Sequence, residues 1–231
     1  MREYDLPECT SMACCAAKVG GCARGQEVSY PFLGNGLSEE EKIGTIAHHF
    51  HEILVALGLD VENDSLKKTP YRYAKMLVQE LFQGLDASQF PAITTQANTF
   101  HYQEPLIQSH ITIQSICEHH FVPILGYCHV AYIPKERVLG LSKLNRIAQY
   151  FARRPQVQER LTRQISAALS QIVETPDVAV VIDALHLCVR MRGIQDQDAL
   201  TRTFDMQGAF LEESRRREFF ASIPKLSDLR L

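Results

Sequence analysis

The hydrophobic period of this chain changes along its length, and the order of those changes restricts the fold more than any other feature. Ser38 and Glu41 form a capping box. Behind them Ile43, Ile46, Ala47, Phe50, Ile53, Leu54 and Leu57 keep helical spacing. Thr69–Pro70 opens a second helix, with Thr69 as N-cap, apolar positions at Tyr73, Met76, Leu77 and Leu81, and Gly84 at its end. From about Gln96 the period falls to two. Residues 109–116 and 123–133 read as strands, the second being PILGYCHVAYI before Pro134. Ser142 is expected to cap a helix carrying Leu144, Ile147, Ala148 and Phe151 on one side. Pro155 is expected to open another, with Val157, Leu161, Ile165, Leu169 and Ile172 on one stripe. The strand VAVVIDALHLCVRMR follows, then a strand near Leu200–Phe210 and a closing helix over Glu212–Ser222. Strand pairs joined by short turns favour an antiparallel sheet with two helices packed on one face, an α+β architecture.

The stretch LHLCVRMRG, residues 185–193, alternates strictly. Leu185, Leu187, Val189 and Met191 are apolar, whereas His186, Cys188, Arg190 and Arg192 are not. Read as a strand, it puts an imidazole, a thiol and two guanidiniums on one face. A solvated strand face more often carries Thr, Lys, Glu or Ser.

The remaining sequence limits the partners. The chain has 231 residues, 45% hydrophobic and 22% charged, ordinary for a soluble globular protein. No run approaches the ~20 apolar residues of a membrane span. MREYDLPECTSMACCAAKVGG lacks the basic start and apolar core of a signal peptide, so the expected compartment is the cytoplasm and no membrane partner is expected. The seven cysteines then read as reduced thiols or metal ligands. Cys9, Cys14, Cys15 and Cys22 lie in a Gly/Ala/Ser-rich tail, residues 1–37, expected to be poorly ordered, and their spacing contains no C-x-x-C. A net charge of −3 does not suit a nucleic-acid coat, so any cationic site must be a local cluster for a small anion.

Cys117 and His120, in SICEHHFVP, are a C-x-x-H pair, a spacing at which one turn of chain can bring two ligands to one metal. Cys188 completes a Cys₂His set if the two strands are neighbours. Three protein ligands leave a position open for water, the arrangement of a catalytic zinc. Cys128 or His129 could instead close the site as a fourth ligand. His119 and His186 stand beside the metal without being needed by it, and imidazole titrates near ~6.5, suited to acid/base work. Ser142, Lys143 and Arg146 at a helix start form an anion site, fit for phosphates, with Arg72 and Arg192 as further contributors. Gln158 and Glu159 lie in a first helical turn, where a carboxylate is a cap or surface group before it is anything else.

CEHHFVP, AYIPKERVLGLSKLNRI, RRPQVQERLTRQI and HLCVRMRG, in this order and spacing, resemble GTP cyclohydrolase I over about Ser38 to Phe220. The resemblance implies hydrolytic opening of the GTP imidazole ring, release of C8 as formate, and 7,8-dihydroneopterin triphosphate as product, the first step toward tetrahydrofolate and other pterins. It implies a T-fold, in which sheets from several subunits join into a barrel with helices outside, and a homodecamer of two stacked five-membered rings with sites at subunit interfaces. By residue, it implies zinc on Cys117, His120 and Cys188, acid/base roles for His119 and His186, guanine recognition by Glu159 with Gln158 beside it, and phosphate binding by Arg72, Ser142, Lys143, Arg146 and Arg192. The domains it implies are the tail over 1–37, a helical segment over 38–95 and a catalytic domain over 96–231. DALTRTFDMQGAF departs from the family's Ser/Thr run through Arg202, Phe204 and Asp205, which puts packing or a ring interface in question. Two other readings stand beside it: a nitrile reductase of the same fold, with NADPH and a cysteine nucleophile but no need of the Cys-His-Cys set, and a non-catalytic zinc module.

Overall fold

A computed structural model describes residues 30–225 of the chain. Cys9, Cys14, Cys15 and Cys22, with most of the tail expected to be poorly ordered, lie outside the described residues.

Helix α1, Glu39–Ala56, starts as expected: Ser38 Oγ accepts from Glu41 N at 3.2 Å and Glu41 Oε2 accepts from Ser38 N at 2.7 Å. It buries Ile43 and Leu54, while Ile53 and Leu57 stay 51% and 69% exposed. Helix α2, Thr69–Met76, packs beside it through Phe50 and Tyr73, stacked at 3.9 Å between ring centroids. Its N-cap is Lys68, so Thr69 lies inside the helix, one place earlier than expected, with Pro70 still in the first turn where its missing N–H costs nothing. A π turn, Leu77–Leu81, continues α2. Gly84 follows, donating its N–H to Arg153 O at 2.9 Å. A Cβ there would meet Tyr150 O at 2.2 Å, so this close approach requires glycine.

Strands β2 (Leu106–Cys117), β3 (Pro123–Tyr132), β6 (Val178–His186) and β7 (Thr201–Met206) form an antiparallel sheet in that order. The two-residue β5, Pro155–Gln156, adds a parallel edge on β2, pairing Ile116 with Pro155 and Cys117 with Gln156. β1 (Thr95–Ala97) and β4 (Arg137–Leu139) make a separate ribbon. Helices α3 (Leu141–Ala152) and α4 (Gln158–Ile172) cover one face, as the period change predicts. There Ile111, Ile113, Ile124, Val130, Val180 and Ile182 meet Leu144, Ile147, Phe151, Leu161, Ile165 and Leu169. At Gly126 a Cβ would meet Asp183 O at 2.0 Å, so β3 and β6 approach this closely only with glycine. The other face is covered in part by the C-terminal segment, where Phe210, Phe219 and Ile223 pack on Ala131, Ala179 and Val181. Phe219 belongs to the closing helix α6, Glu213–Ser222.

Three further local expectations change. α3 begins after Gly140 with no side-chain cap, so Ser142 is its second residue. Pro155 pairs with β2 instead of opening α4, whose N-cap is Val157. The long strand stops at His186, and Leu187–Arg190 form one helical turn, α5. His186 is the last residue with a strand partner, Ile124. Past it the backbone has no ladder to join and closes locally, with Met191 N donating to Leu187 O at 3.0 Å. Arg190 and Arg192 therefore do not share a strand face with His186 and Cys188.

Candidate metal and substrate site

The site forms where β2, β6 and the start of α4 end together. β2 closes at Cys117 in a tight reversal: Phe121 N donates to Cys117 O at 2.9 Å, Cys117 N to Val122 O at 2.8 Å, and Phe121 takes a positive φ of 53°. The reversal carries His119 and His120 outward, both exposed. β6 is not the neighbour of β2 that the sequence reading required, since β3 lies between them, but the turn after His186 brings Cys188 back toward Cys117. The ligand atoms of Cys117, His120 and Cys188 lie within 4.8 Å of one another, so the expected trio assembles although the strand face that suggested it does not.

The donor set fits zinc. Two thiols and an imidazole at this separation suit a tetrahedral ion with one open position. Burial raises the Cys188 thiol above its usual range, and Cys117 beside it raises it further, against a small opposing pull from Arg192. A bound dication would favour the thiolate form of Cys188 that its surroundings oppose. The alternative fourth ligands turn away. Cys128 faces the helical core and burial pushes its thiol well above the usual range. His129 points to the opposite face, 3.4 Å from Asp183. Among the described residues the ligand set stays at three.

His119 Nδ1 lies 3.9 Å from Cys117 Sγ. His186 sits at the inner wall, its Nε2 2.7 Å from Gln158 Oε1. Burial holds this imidazole below its usual pKa, with Glu159 pulling the other way. Glu159 is exposed at the first turn of α4, free to meet a ligand, whereas Gln158 is buried with its amide engaged by the protein. Arg192 Nη1 reaches His120 Nε2 at 2.8 Å, and of the expected anion-binding residues it is the one at the trio.

The others are elsewhere in the chain. Ser142 and Lys143 start α3 at the far end of the sheet: Asn145 in the same turn accepts from Gln108 Nε2 at 2.9 Å, and Gln108 and Cys117 are nine residues apart on β2. That stretch of β2 is at most roughly 30 Å of strand at ~3.3 Å per residue, shortened by a bulge between Gln108 and Ile111, so the α3 start and the trio lie toward opposite ends of the sheet. Lys143 Nζ bonds Ala92 O at 2.7 Å, Arg146 borders a cavity of about 150 Å³ beside Gln89 and Tyr150, and Arg72 is exposed on α2. Among the described residues no hydrogen bond or ion pair links these four to the trio. A larger concavity of about 570 Å³, lined by Ala97, His101, Lys135 and Glu136, also lacks the trio; the chemistry of the ligand set, not the size of a hollow, locates the site.

Sequence reasoning missed a brace. Glu118 forms an ion pair with Arg160, and Arg160 Nε donates to Gln156 Oε1 at 3.1 Å, tying the CEHH reversal to α4. The Arg160 guanidinium lies 4.7 Å from the Tyr30 ring, whose hydroxyl donates to Pro155 O at 2.6 Å. The signal was a carboxylate inside the metal motif and an arginine two residues after Gln158, but their meeting depends on β5 pairing with β2.

Residues 46–224 match the family GTP cyclohydrolase I. A protein of Aeromonas hydrophila named GTP cyclohydrolase 1 is 44% identical over 217 residues, covering 94% of this chain and 100% of that one. Another of the same name from Flavobacterium johnsoniae is 50% identical over 183 residues, covering 79% of this chain and 82% of its own. Among solved structures, archaeosine synthase QueF-Like in the apo form aligns with a TM-score of 0.38 at 17% identity, over 47% of this chain and 95% of that one.

Proposed function

The chain belongs to the GTP cyclohydrolase I family, and from that premise we propose that it opens the imidazole ring of GTP by zinc-assisted hydrolysis, releasing formate and forming 7,8-dihydroneopterin triphosphate. The observation that carries the finer reading is the Cys117, His120 and Cys188 trio, converging at the strand ends with no fourth protein ligand among the described residues. These three residues would hold the zinc, which when bound supplies a Lewis acid and a water whose pKa falls toward ~7.

The chain's own groups do the rest. Glu159, exposed beside His186, accepts from the guanine edge and fixes the base over the trio. His186 moves protons to and from the opening ring, and His119, exposed next to Cys117, is the second candidate for that work. Arg192 meets the triphosphate from the trio's side. Arg72, Ser142, Lys143 and Arg146 do so from neighbouring copies, a reading supported for the α3 residues by their start at the other end of the sheet from the trio. This placement at opposite ends of the sheet supports an oligomer with composite sites, the homodecamer of paired rings that the resemblance implies. So do the exposed Ile53 and Leu57 on α1. No helix among the described residues is long and apolar enough to cross a membrane. We place the enzyme in the cytoplasm, at the entry to pterin synthesis.

Incubation with GTP, followed by assay of formate and of a fluorescent pterin after oxidation, tests the reading. The expected result is one formate per pterin, lost on zinc removal and restored by zinc. GTP should far outperform guanosine, because Arg192 and the cations proposed to come from neighbouring copies would hold the triphosphate. Absence of formate, or equal use of guanosine at low concentration, would sink the reaction or the phosphate assignment respectively.

A further inference from the structure

Gln158, at the start of α4, is 2% exposed. Its Nε2 lies 2.9 Å from Ile182 O, 3.0 Å from Thr201 O and 3.1 Å from Thr203 Oγ1. Two of these partners are carbonyl oxygens, which can only accept, so the NH₂ must face β6 and β7. The amide orientation is therefore set by chemistry. Around it the hydroxyls close a consistent circuit: Thr162 Oγ1 donates to Gln158 O at 2.8 Å, which leaves Thr203 Oγ1 to donate to Thr162 Oγ1 at 2.7 Å. Gln158 Oε1 then faces His186 Nε2 at 2.7 Å and can only accept. The proton between them belongs to His186 Nε2.

We propose that Gln158 is a positioning residue that locks His186 in its Nε2–H tautomer, making Nδ1 the ring atom that exchanges protons with the substrate. The inference rests on the proposed acid/base role of His186 and deepens it. In one direction the Nδ1 lone pair takes a proton from water or from a substrate N–H, giving an imidazolium whose Nε2–H stays on Gln158. In the other, Nδ1–H gives that proton to a nitrogen or oxygen of the opening ring, and the neutral Nε2–H form returns. Gln158 gains and loses nothing. Its amide has both hydrogens engaged and its oxygen on His186, so the side chain holds the machinery and does not read guanine. The strand that departs from the family, β7, supplies two of the three anchors through Thr201 and Thr203, and so reaches the site.

Two measurements test this. Holoenzyme labelled with ¹⁵N-histidine, sedimented and studied by solid-state NMR with the ring neutral, should show His186 protonated at Nε2 and bare at Nδ1. The signal is assigned by its loss in His186→Asn. A proton on Nδ1 would overturn the proposal, and this readout needs neither a Gln158 variant nor turnover. The second uses Gln158→Met, alone and in a His186→Ala background. Alone it should keep zinc and assembly, lower kcat about 10–100-fold and leave KM for GTP nearly unchanged. With His186 already absent it should cost nothing more. A raised KM at unchanged kcat would make Gln158 a substrate contact, and an equal loss in both backgrounds would make it a purely structural residue. If Gln158→Met does not fold, the tautomer measurement alone decides. A wild-type protein that releases no formate from GTP refutes the function while leaving the tautomer result intact.

Discussion

His120 and His186 look alike in the sequence and are held differently in the site. His120 sits on an exposed reversal with a ring nitrogen near two thiols, so under the proposed function it offers a lone pair to a cation. His186 is held by an amide, so under the proposed function it offers a proton at a fixed place. Substitution should separate the two. His186→Ala is expected to keep about one zinc per chain and its assembly, yet slow formate release by ~10²–10⁴-fold, the usual worth of a placed general acid or base. His120→Ala and Cys188→Ser should each lose metal and activity together. Elemental analysis beside formate assays reads both quantities. If His186→Ala loses zinc as fully as His120→Ala, it is a ligand; if it keeps normal turnover, His119 or a water moves the proton.

At the scale of elements, β6 and β7 are joined by more than their ladder. Asp183 is wholly buried and takes a bidentate grip from Arg202, Nε to Oδ1 at 2.6 Å and Nη2 to Oδ2 at 2.8 Å, with His129 on its other side. Arg202 is one of the bulky departures in this strand, and this pair accounts for it. Phe204, a second, meets the Phe220 ring edge-on and lies under Arg216. Asp205, the third, accepts from Gln207. Burial by itself would raise the Asp183 carboxyl, but the bonds from Arg202 and then His129 outweigh it and hold the group below its usual value. A lowered folded pKa gives stability that is present above the unfolded carboxylate value of ~3.9 and lost as pH falls through the folded one. Arg202→Met leaves a buried carboxylate short of its main partner and should cost about 3 kcal/mol at neutral pH. Denaturant melts of both proteins should show that gap closing below about pH 4. An equal gap at all pH values would mean the loss is one of packing alone.

For the whole molecule, the decisive feature is that the α3 start and the trio lie toward opposite ends of β2. Under the proposed function one nucleotide meets them on different chains. Lys143→Ala and Cys188→Ser should therefore each cripple a pure oligomer through different halves of the site. Co-expressed with separate tags and purified as mixed oligomers, the two variants should recover part of the wild-type rate, since some interfaces pair an intact trio with an intact lysine. Mixed oligomers no more active than their parents would place the lysine outside the composite site.

Much of this was legible from the sequence because it depends on local chemistry and period. Leu144, Ile147 and Phe151 on α3, and Leu161, Ile165 and Leu169 on α4, repeat at the spacing of a buried helix face, and they are buried. Cys117 and His120 announce a metal through their spacing, because a short reversal is enough to bring them together. Cys188 was found for a partly wrong reason: its residue type was right, but the strand that was to present it ends at His186, where pairing partners run out. An alternating pattern cannot reveal that, because the end of a ladder is decided by the neighbouring strand. The same holds for Gln158. In sequence it is a polar residue at a helix start, next to a carboxylate that resembles a guanine reader. Its donors and acceptor gain fixed directions only once β6, β7 and α4 are packed, since a buried amide must satisfy each of its groups with whatever partners the fold supplies. Residue type and spacing thus determined which donor and acceptor groups this chain brings to the site, and tertiary packing decided which atom of each residue faces which partner.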